Sequence, residues 1–409
     1  MEGNFVLGLD VGSSKTALVA GMVNEGLVEV AGAGFSPNTG MRKGMVATLE
    51  DVVSSIGGAL EEAEQEAKTS FFETILGLAG SHITATPSRG IIGVARADNE
   101  ITETDVEKVL GAARAVALPP NQEILHIEPQ YFAVDGQNPI KDPIGLAGVR
   151  LETEALVIGA SSMAIRNLTK TVAQAGLSVM DLVYPPLPLA HLLLSKKQKE
   201  TGVSLVDIGA GTTTLAIFEE GNLIHTAVYP IGSLNLTNDL AIGLKTSLEV
   251  AEQVKQKDAR VNIDLIKESE QIDLFKYSPQ NKERVKKKFI ANILEARLQE
   301  ILGFIKEELR RIERDGRLPA GVVLTGGGSL LAGLPELTRD FLGLPCMLGK
   351  PIMELTGRVE KIYHPSYYSA LGLMLWGLQN PAEQTASINL KKMEGVVEKI
   401  RKIFKQLIP

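Results

Sequence analysis

Phe5-Val6-Leu7-Gly8-Leu9-Asp10-Val11-Gly12-Ser13-Ser14-Lys15-Thr16 is an apolar run that ends in an acid, a glycine turn and a set of hydroxyls. Val203-Ser204-Leu205-Val206-Asp207-Ile208-Gly209-Ala210-Gly211-Thr212-Thr213-Thr214 repeats the pattern in the second half of the chain. In each copy a buried strand delivers a carboxylate to a turn whose glycines let backbone N–H groups approach an anion. Two such hairpins facing each other predict a clamp for a nucleoside triphosphate and its magnesium ion. The expected fold class is therefore a two-lobed, ATP-binding α/β protein.

Outward from the first copy, residues 5–11, 17–23 and 27–35 read as successive strands, with Asn24-Glu25-Gly26 as a tight turn. A helix is expected from Leu49 to Lys68 and a strand at Thr74–Ala79. The order returns after the second acid turn: strands at Ser204–Asp207, Thr214–Glu219 and Leu223–Pro230, a turn at Glu220-Gly221-Asn222, and a helix at Asn235–Leu244. An internal duplication is the simplest account.

Two segments break the scheme. Residues 82–161 carry a helix N-cap signal at Thr102-Glu103-Thr104-Asp105 and a turn-rich stretch at Asp135–Gly148, and read as an inserted small α/β subdomain. Residues 247–315 are rich in Lys, Glu and Gln. They end in an amphipathic helix with Ile290, Ile293, Leu294, Leu298, Ile301, Leu302, Ile305, Leu309 and Ile312 on its apolar face. Next, Gly321–Thr325 reads as a strand entering a triple-glycine turn. Three positions without side chains predict a flat shelf for a purine ring, which assigns Gly326, Gly327, Gly328 and Ser329 to the adenine side.

Composition narrows the classes. A chain of 409 residues with 44% hydrophobic and 22% charged residues has the makeup of a folded α/β protein. Its single cysteine, Cys346, excludes an internal disulfide framework and, set in Leu-Pro-Cys-Met, reads as a buried thiol rather than a nucleophile. A net charge of −7 gives no support to general nucleic-acid binding. No basic region followed by a long apolar run opens the chain, and no 18-residue apolar segment occurs, so neither a secretory signal nor a spanning helix is expected. His126 and Glu128, two apart on a strand, read as structural rather than as metal ligands.

The end of the chain changes character. Residues 380–389 read as a linker, after which apolar residues recur at helical spacing among Lys391, Lys392, Lys399, Arg401, Lys402 and Lys405. This is a basic amphipathic helix in an acidic protein, the pattern of a membrane-surface anchor. Ile400, Ile403, Phe404 and Leu407 would enter the lipid, with Lys399, Arg401, Lys402 and Lys405 on anionic headgroups.

The order of the three glycine motifs resembles the actin, Hsp70 and sugar-kinase superfamily, with its duplicated ribonuclease H-like domains. Within it, His126–Leu151, Gly232–Leu240 and Pro365–Gly372 resemble the FtsA family of bacterial cell-division proteins. The resemblance implies a four-subdomain actin-like body. Subdomain 1A would comprise 1–81 and 162–201, and 2A would comprise 202–246 and 316–379. The inserted 1C at 82–161 would mediate head-to-tail polymerisation, and 2B at 247–315 would dock the C-terminal peptide of the tubulin-like partner FtsZ. The linker at 380–389 and a membrane-targeting helix at 390–409 follow. It also implies contacts with other division proteins and a peripheral place on the cytoplasmic face of the membrane, at the division site.

Asp10 and Asp207 are the candidates to hold hydrated magnesium, a hard ion that prefers carboxylates, water and phosphate oxygens. Backbone N–H groups around Gly12–Ser14 and Gly209–Thr213, Gly211 included, would receive the phosphates, assisted by the Ser13, Ser14, Thr212 and Thr213 hydroxyls. Lys15 would neutralise terminal phosphate charge. Glu252 and Lys255 match the family positions that contact ribose. No catalytic residue is assigned. Hydrolysing relatives place a carboxylate or carboxamide where this chain has Pro185, and many carry Gly and Asp in place of Ala210 and Thr214. A hydroxyl is a poor general base near neutral pH, so at most a slow ATPase is expected. The alternatives are a pilus-assembly-type actin homologue and a small-molecule kinase. The first should lack the 126–151 block; the second needs a catalytic aspartate and a substrate pocket, neither of which is signalled.

Overall fold

The structure is a computed structural model that describes residues 5–115, 118–279, 283–358 and 360–379. The linker and basic helix expected at 380–409 lie outside the described residues.

The first copy begins with an antiparallel meander, β1 (Val6–Val11), β2 (Lys15–Asn24) and β3 (Leu27–Pro37). Its second turn puts Glu25 at φ 49° and Gly26 at φ 85°, the doubly left-handed geometry that matches the twist of a tight hairpin. A small hairpin, β4 (Met41–Arg42) and β5 (Met45–Val46), leads to α1 (Leu49–Ala67) and β6 (Glu73–Gly77). The insertion contains β7 (Thr84–Gly93), α2 (Glu103–Ala113), β8 (Gln122–Val134) and β9 (Arg150–Ser161). The lobe closes with α3 (Ser162–Gln174), β10 (Ser178–Val183), α4 (Pro186–Leu193) and α5 (Lys196–Thr201).

The second copy repeats the meander as β11 (Val203–Ile208), β12 (Thr213–Glu219) and β13 (Asn222–Tyr229), with Glu220 and Gly221 in the same left-handed turn at φ 53° and 87°. It continues through α6 (Ser233–Gly243), α7 (Leu248–Lys257), a short ribbon of β14 (Gln271–Asp273) and β15 (Arg284–Lys286), and the long α8 (Lys287–Arg311). Then come β16 (Val322–Thr325), α9 (Leu334–Leu342), β17 (Cys346–Leu348), β18 (Leu355–Gly357) and α10 (Tyr368–Gln379).

The duplication is explicit in the sheets. The orders β3-β2-β1-β6-β10 and β13-β12-β11-β16-β17 coincide, with antiparallel pairs on the meander side and parallel pairs on the other. The two copies differ in where they are interrupted. The first receives 82–161 after its fourth strand, and the second receives the ribbon and α8 after its first helix. The face of α8 read from the sequence is buried at Ile290, Leu294, Leu298, Ile301, Leu302, Ile305 and Leu309, while Ile293 and Ile312 lie at its margin.

One boundary differs from the sequence expectation. Residues 316–379 do not belong wholly to the second lobe: β18 pairs in parallel with β3 at the edge of the first sheet, and α10 lies across β1 and β2. The reason is apolar burial: Ala370, Leu371, Met374 and Leu375 join Tyr184, Leu189 and Leu193 in a core that also takes Val203, Leu205 and Phe218 from the second lobe. This shared core locks the two lobes at their base and leaves the two acid turns at the opening.

The insertion is a three-stranded antiparallel sheet, β7-β9-β8, with α2 packed on β7 and β9. The predicted helix start is held by Asp105, whose Oδ2 accepts the Thr102 N–H at 3.1 Å and the Thr102 hydroxyl at 2.7 Å.

Candidate nucleotide site

The two acid-glycine turns are one turn made twice. The Gly12 N–H donates to the Lys15 carbonyl at 2.8 Å, and the Gly209 N–H donates to the Thr212 carbonyl at 2.9 Å. Asp10 stands opposite Ala17 and Asp207 opposite Thr214, one residue before the closing pair of each hairpin. Among the described residues, the N–H groups of Ser13, Ser14, Ala210 and Gly211 donate to no other group. Each turn therefore offers two successive free amides, the concave donor arrangement that receives an anion.

Different devices hold the copies in shape. In the first, Asn38 is buried and its Nδ2 donates to the Gly12 carbonyl at 3.1 Å. Its own N–H reaches the Ser14 carbonyl at 3.0 Å. In the second, the start of α6 does the work: the Ser233 and Leu234 N–H groups donate to the Gly209 and Ala210 carbonyls, each at 2.9 Å. These otherwise orphaned helix-terminal donors fix the loop. Neither device was read from the sequence. Asn38 follows a proline in an undistinguished loop, and its role exists only because β3, returning along β2, ends beside the turn between β1 and β2.

The turns also meet. A Cβ placed on Gly211 would lie 2.6 Å from Ser13 Oγ and 3.3 Å from the Lys43 backbone nitrogen. The triple glycine is sharper than a flat shelf. Gly326, at φ 81°, would bring a Cβ to 2.1 Å from Asp207 Oδ1, and Gly328 would drive one to 2.5 Å from the Ile208 side chain. Only Gly327 has open space around its missing Cβ. Two of the three glycines let β16 close against β11, and the third opens the surface. Ser329 is buried, with its hydroxyl donating to the Gly326 carbonyl at 2.7 Å, so it shapes the turn.

Electrostatically the cleft is a paired-carboxylate site. Lys15 Nζ lies 2.5 Å from Asp10 Oδ2, so the lysine is engaged with the carboxylate that it follows. Burial, with the nearby Asp10 charge adding and Lys15 opposing, pushes Asp207 up to about 6. Hard carboxylates beside free amides fit a hydrated magnesium ion bridging to phosphate. No cluster of three or more His, Cys, Asp or Glu side chains that could cage a metal occurs among the described residues, so such an ion would complete its shell from water and phosphate.

Glu252 and Lys255 are not a solvated surface pair. Lys255 is buried, and its Nζ lies 2.7 Å from Glu252 and donates to Thr237 Oγ1 at 2.7 Å and the Ser233 carbonyl at 3.1 Å. The Thr237 hydroxyl in turn donates to Glu252. Burial opposes ionisation of Glu252, but Lys255 and Thr237 together hold it below the usual carboxylate range. The cluster braces α7 against the first turn of α6, the same turn that fixes the second loop.

Pro185 is buried at the N-terminus of α4, and Thr214 is buried in β12. His126 Nε2 accepts the Tyr184 N–H at 2.9 Å, and burial pushes its pKa down to about 4, so this nitrogen is engaged with the backbone. Cys346 is half-buried and free, its thiol pushed up to about 12 by burial.

The chain is similar to known proteins throughout. The family described as "Cell division protein FtsA" matches residues 204–372, and "SHS2 domain inserted in FTSA" matches residues 80–159. The FtsA of Pseudomonas aeruginosa is 37% identical over 93% of this chain and 91% of its own. The FtsA of Bacillus subtilis is 34% identical over 96% and 88%. Among solved structures, the "PilM-PilN type IV pilus biogenesis complex" is similar in fold, with a TM-score of 0.66, 20% identity and coverage of 91% of this chain and 98% of that one. MreB5 of Spiroplasma citri, bound to ADP, has a TM-score of 0.55 at 12% identity, with coverage of 95% and 100%.

Proposed function

Given that the chain belongs to the FtsA family of actin-like cell-division proteins, we propose that it binds Mg-ATP between its two acid turns, polymerises on the membrane and tethers FtsZ filaments there. The observation that carries the nucleotide reading is the repeated turn. Two pairs of unengaged amides stand on opposed hairpins, close enough for Gly211 to need its missing side chain against Ser13. Asp10 and Asp207 would hold the hydrated magnesium, which screens the phosphate charge. Pro185 and Thr214, where an acidic group would position the attacking water, support slow turnover. ATP then serves as a ligand of assembly.

The basic amphipathic pattern of 390–409 supports a peripheral membrane anchor at the division site. Among the described residues no helix is long and apolar enough to cross a membrane. Docking of the FtsZ C-terminal peptide on the 247–315 region is supported by exposed apolar side chains of α7 and α8: Leu248 is 56% exposed and Phe289 46%, the latter beside Lys287 and Lys288. Leu248→Asp should weaken binding of an FtsZ C-terminal peptide about tenfold in a fluorescence-anisotropy titration, the scale of one lost apolar anchor. Unchanged affinity would move the docking surface elsewhere.

A further inference from the structure

The β4–β5 hairpin has no counterpart in the second copy, and its tip lies between two places that the nucleotide reading leaves unconnected. Lys43 and Gly44 form that tip at φ 53° and 80°, a tight left-handed turn. On one side the Lys43 nitrogen lies 3.3 Å from the Cβ position of Gly211, in the second phosphate turn, beside Ser13 of the first. On the other side the tip is pressed against the root of the inserted subdomain. A Cβ on Gly44 would lie 2.3 Å from both the Ala79 carbonyl and the Gly80 Cα, and the Ser81 N–H donates to the Lys43 carbonyl at 3.2 Å.

Charge completes the observation. Lys15 is held by Asp10 and Lys255 by Glu252. The Lys43 side chain is exposed and makes no ion pair or hydrogen bond among the described residues. Its backbone stands at the junction of the two turns, and its side chain leaves that junction as an exposed cation.

We infer that the β4–β5 hairpin senses the terminal phosphate of the bound nucleotide, with Lys43 supplying the cation that contacts it and the Ser81–Lys43 bond passing the contact to the root of the inserted subdomain. This rests on the nucleotide reading above. A phosphate that engages Lys43 holds the tip in one position, and the tip cannot move without moving Gly80 and Ser81. A diphosphate leaves the lysine without its partner, so the coupling separates the two nucleotide states by their differential contact alone.

The test compares Mg-ATP and Mg-ADP binding to the full chain and to Lys43→Gln by calorimetric titration, with amide hydrogen exchange followed at Ser81. The variant should bind Mg-ATP about tenfold more weakly, the loss of one charge-assisted hydrogen bond, and Mg-ADP within about twofold of the parent. In the parent, ATP but not ADP should slow exchange at Ser81, and Lys43→Gln should remove that difference. Equal weakening for both nucleotides, or no weakening for either, would overturn the sensing role while leaving the site intact. Failure of the parent to bind either nucleotide would overturn the site reading and this inference with it.

Discussion

A chain ending at Asn389 will fail to sediment with anionic vesicles that the full chain binds. The twenty residues removed carry six basic side chains against Glu394 and Glu398, with Ile400, Ile403, Phe404 and Leu407 among them at helical spacing. Each lysine or arginine near an anionic surface contributes about 1 kcal/mol, and burial of the apolar face adds to it. Even half of that sum corresponds to a loss of affinity on the order of 100-fold. The rest of the protein offers no substitute, because its net charge is negative. Two controls separate the contributions. Neutral vesicles should bind the full chain less, and rising salt should weaken binding as the surface potential is screened. With ATP present, electron microscopy of the decorated vesicles should show filaments. Equal sedimentation of the two chains would contradict the anchor.

The second large effect is expected at Gly211. Replacement by valine puts a branched side chain where even a Cβ would sit 2.6 Å from Ser13 Oγ and 2.9 Å from Ser13 Cβ. Gly211 is not in the left-handed region, so valine strains the turn through its neighbours rather than its backbone. The site is at the cleft surface, away from the shared core, so the melting temperature should stay within a few degrees of the parent. Nucleotide affinity should fall on the order of 100-fold, because the first and second phosphate turns can no longer converge on one ligand. Gly327→Ala is the contrasting variant. Its added methyl meets nothing within 4 Å, so the fold is kept and any effect falls on the ligand side. A Gly211→Val protein that bound Mg-ATP like the parent would show that the two turns do not share a nucleotide.

Much of this arrangement is legible in the sequence because it is local. Apolar runs ending in Asp10-Val11-Gly12 and Asp207-Ile208-Gly209 give the strand, the turn and its repetition without reference to anything distant. The same holds for the Glu25-Gly26 and Glu220-Gly221 turns and for the apolar stripe of α8. What escapes is whatever depends on the return of the chain. Asn38 holds the first acid turn only because β3, pairing with β2, ends beside it, and α6 holds the second through backbone donors that carry no side-chain signal. Gly326, Gly327 and Gly328 look alike in sequence, yet two face β11 and one faces open space. The assignment of 355–379 failed for a related reason. Linear order places α10 after the second lobe, and burial of its apolar surface carries it back across the first. Glu252 and Lys255 carry only the ribose expectation that the family resemblance gives them, whereas in the fold Thr237 and the Ser233 carbonyl enclose the lysine.

On the proposed function, this duplicated clamp holds ATP as a ligand of assembly rather than as a substrate to be consumed. The decisive experiment is stoichiometric binding of Mg-ATP by the full chain, measured together with phosphate release from the same sample on anionic vesicles. One nucleotide bound per chain, with turnover well below about 1 per second, the lower end of ordinary enzymes, is the expected result. Release at or above that rate, or no nucleotide bound at all, would contradict it.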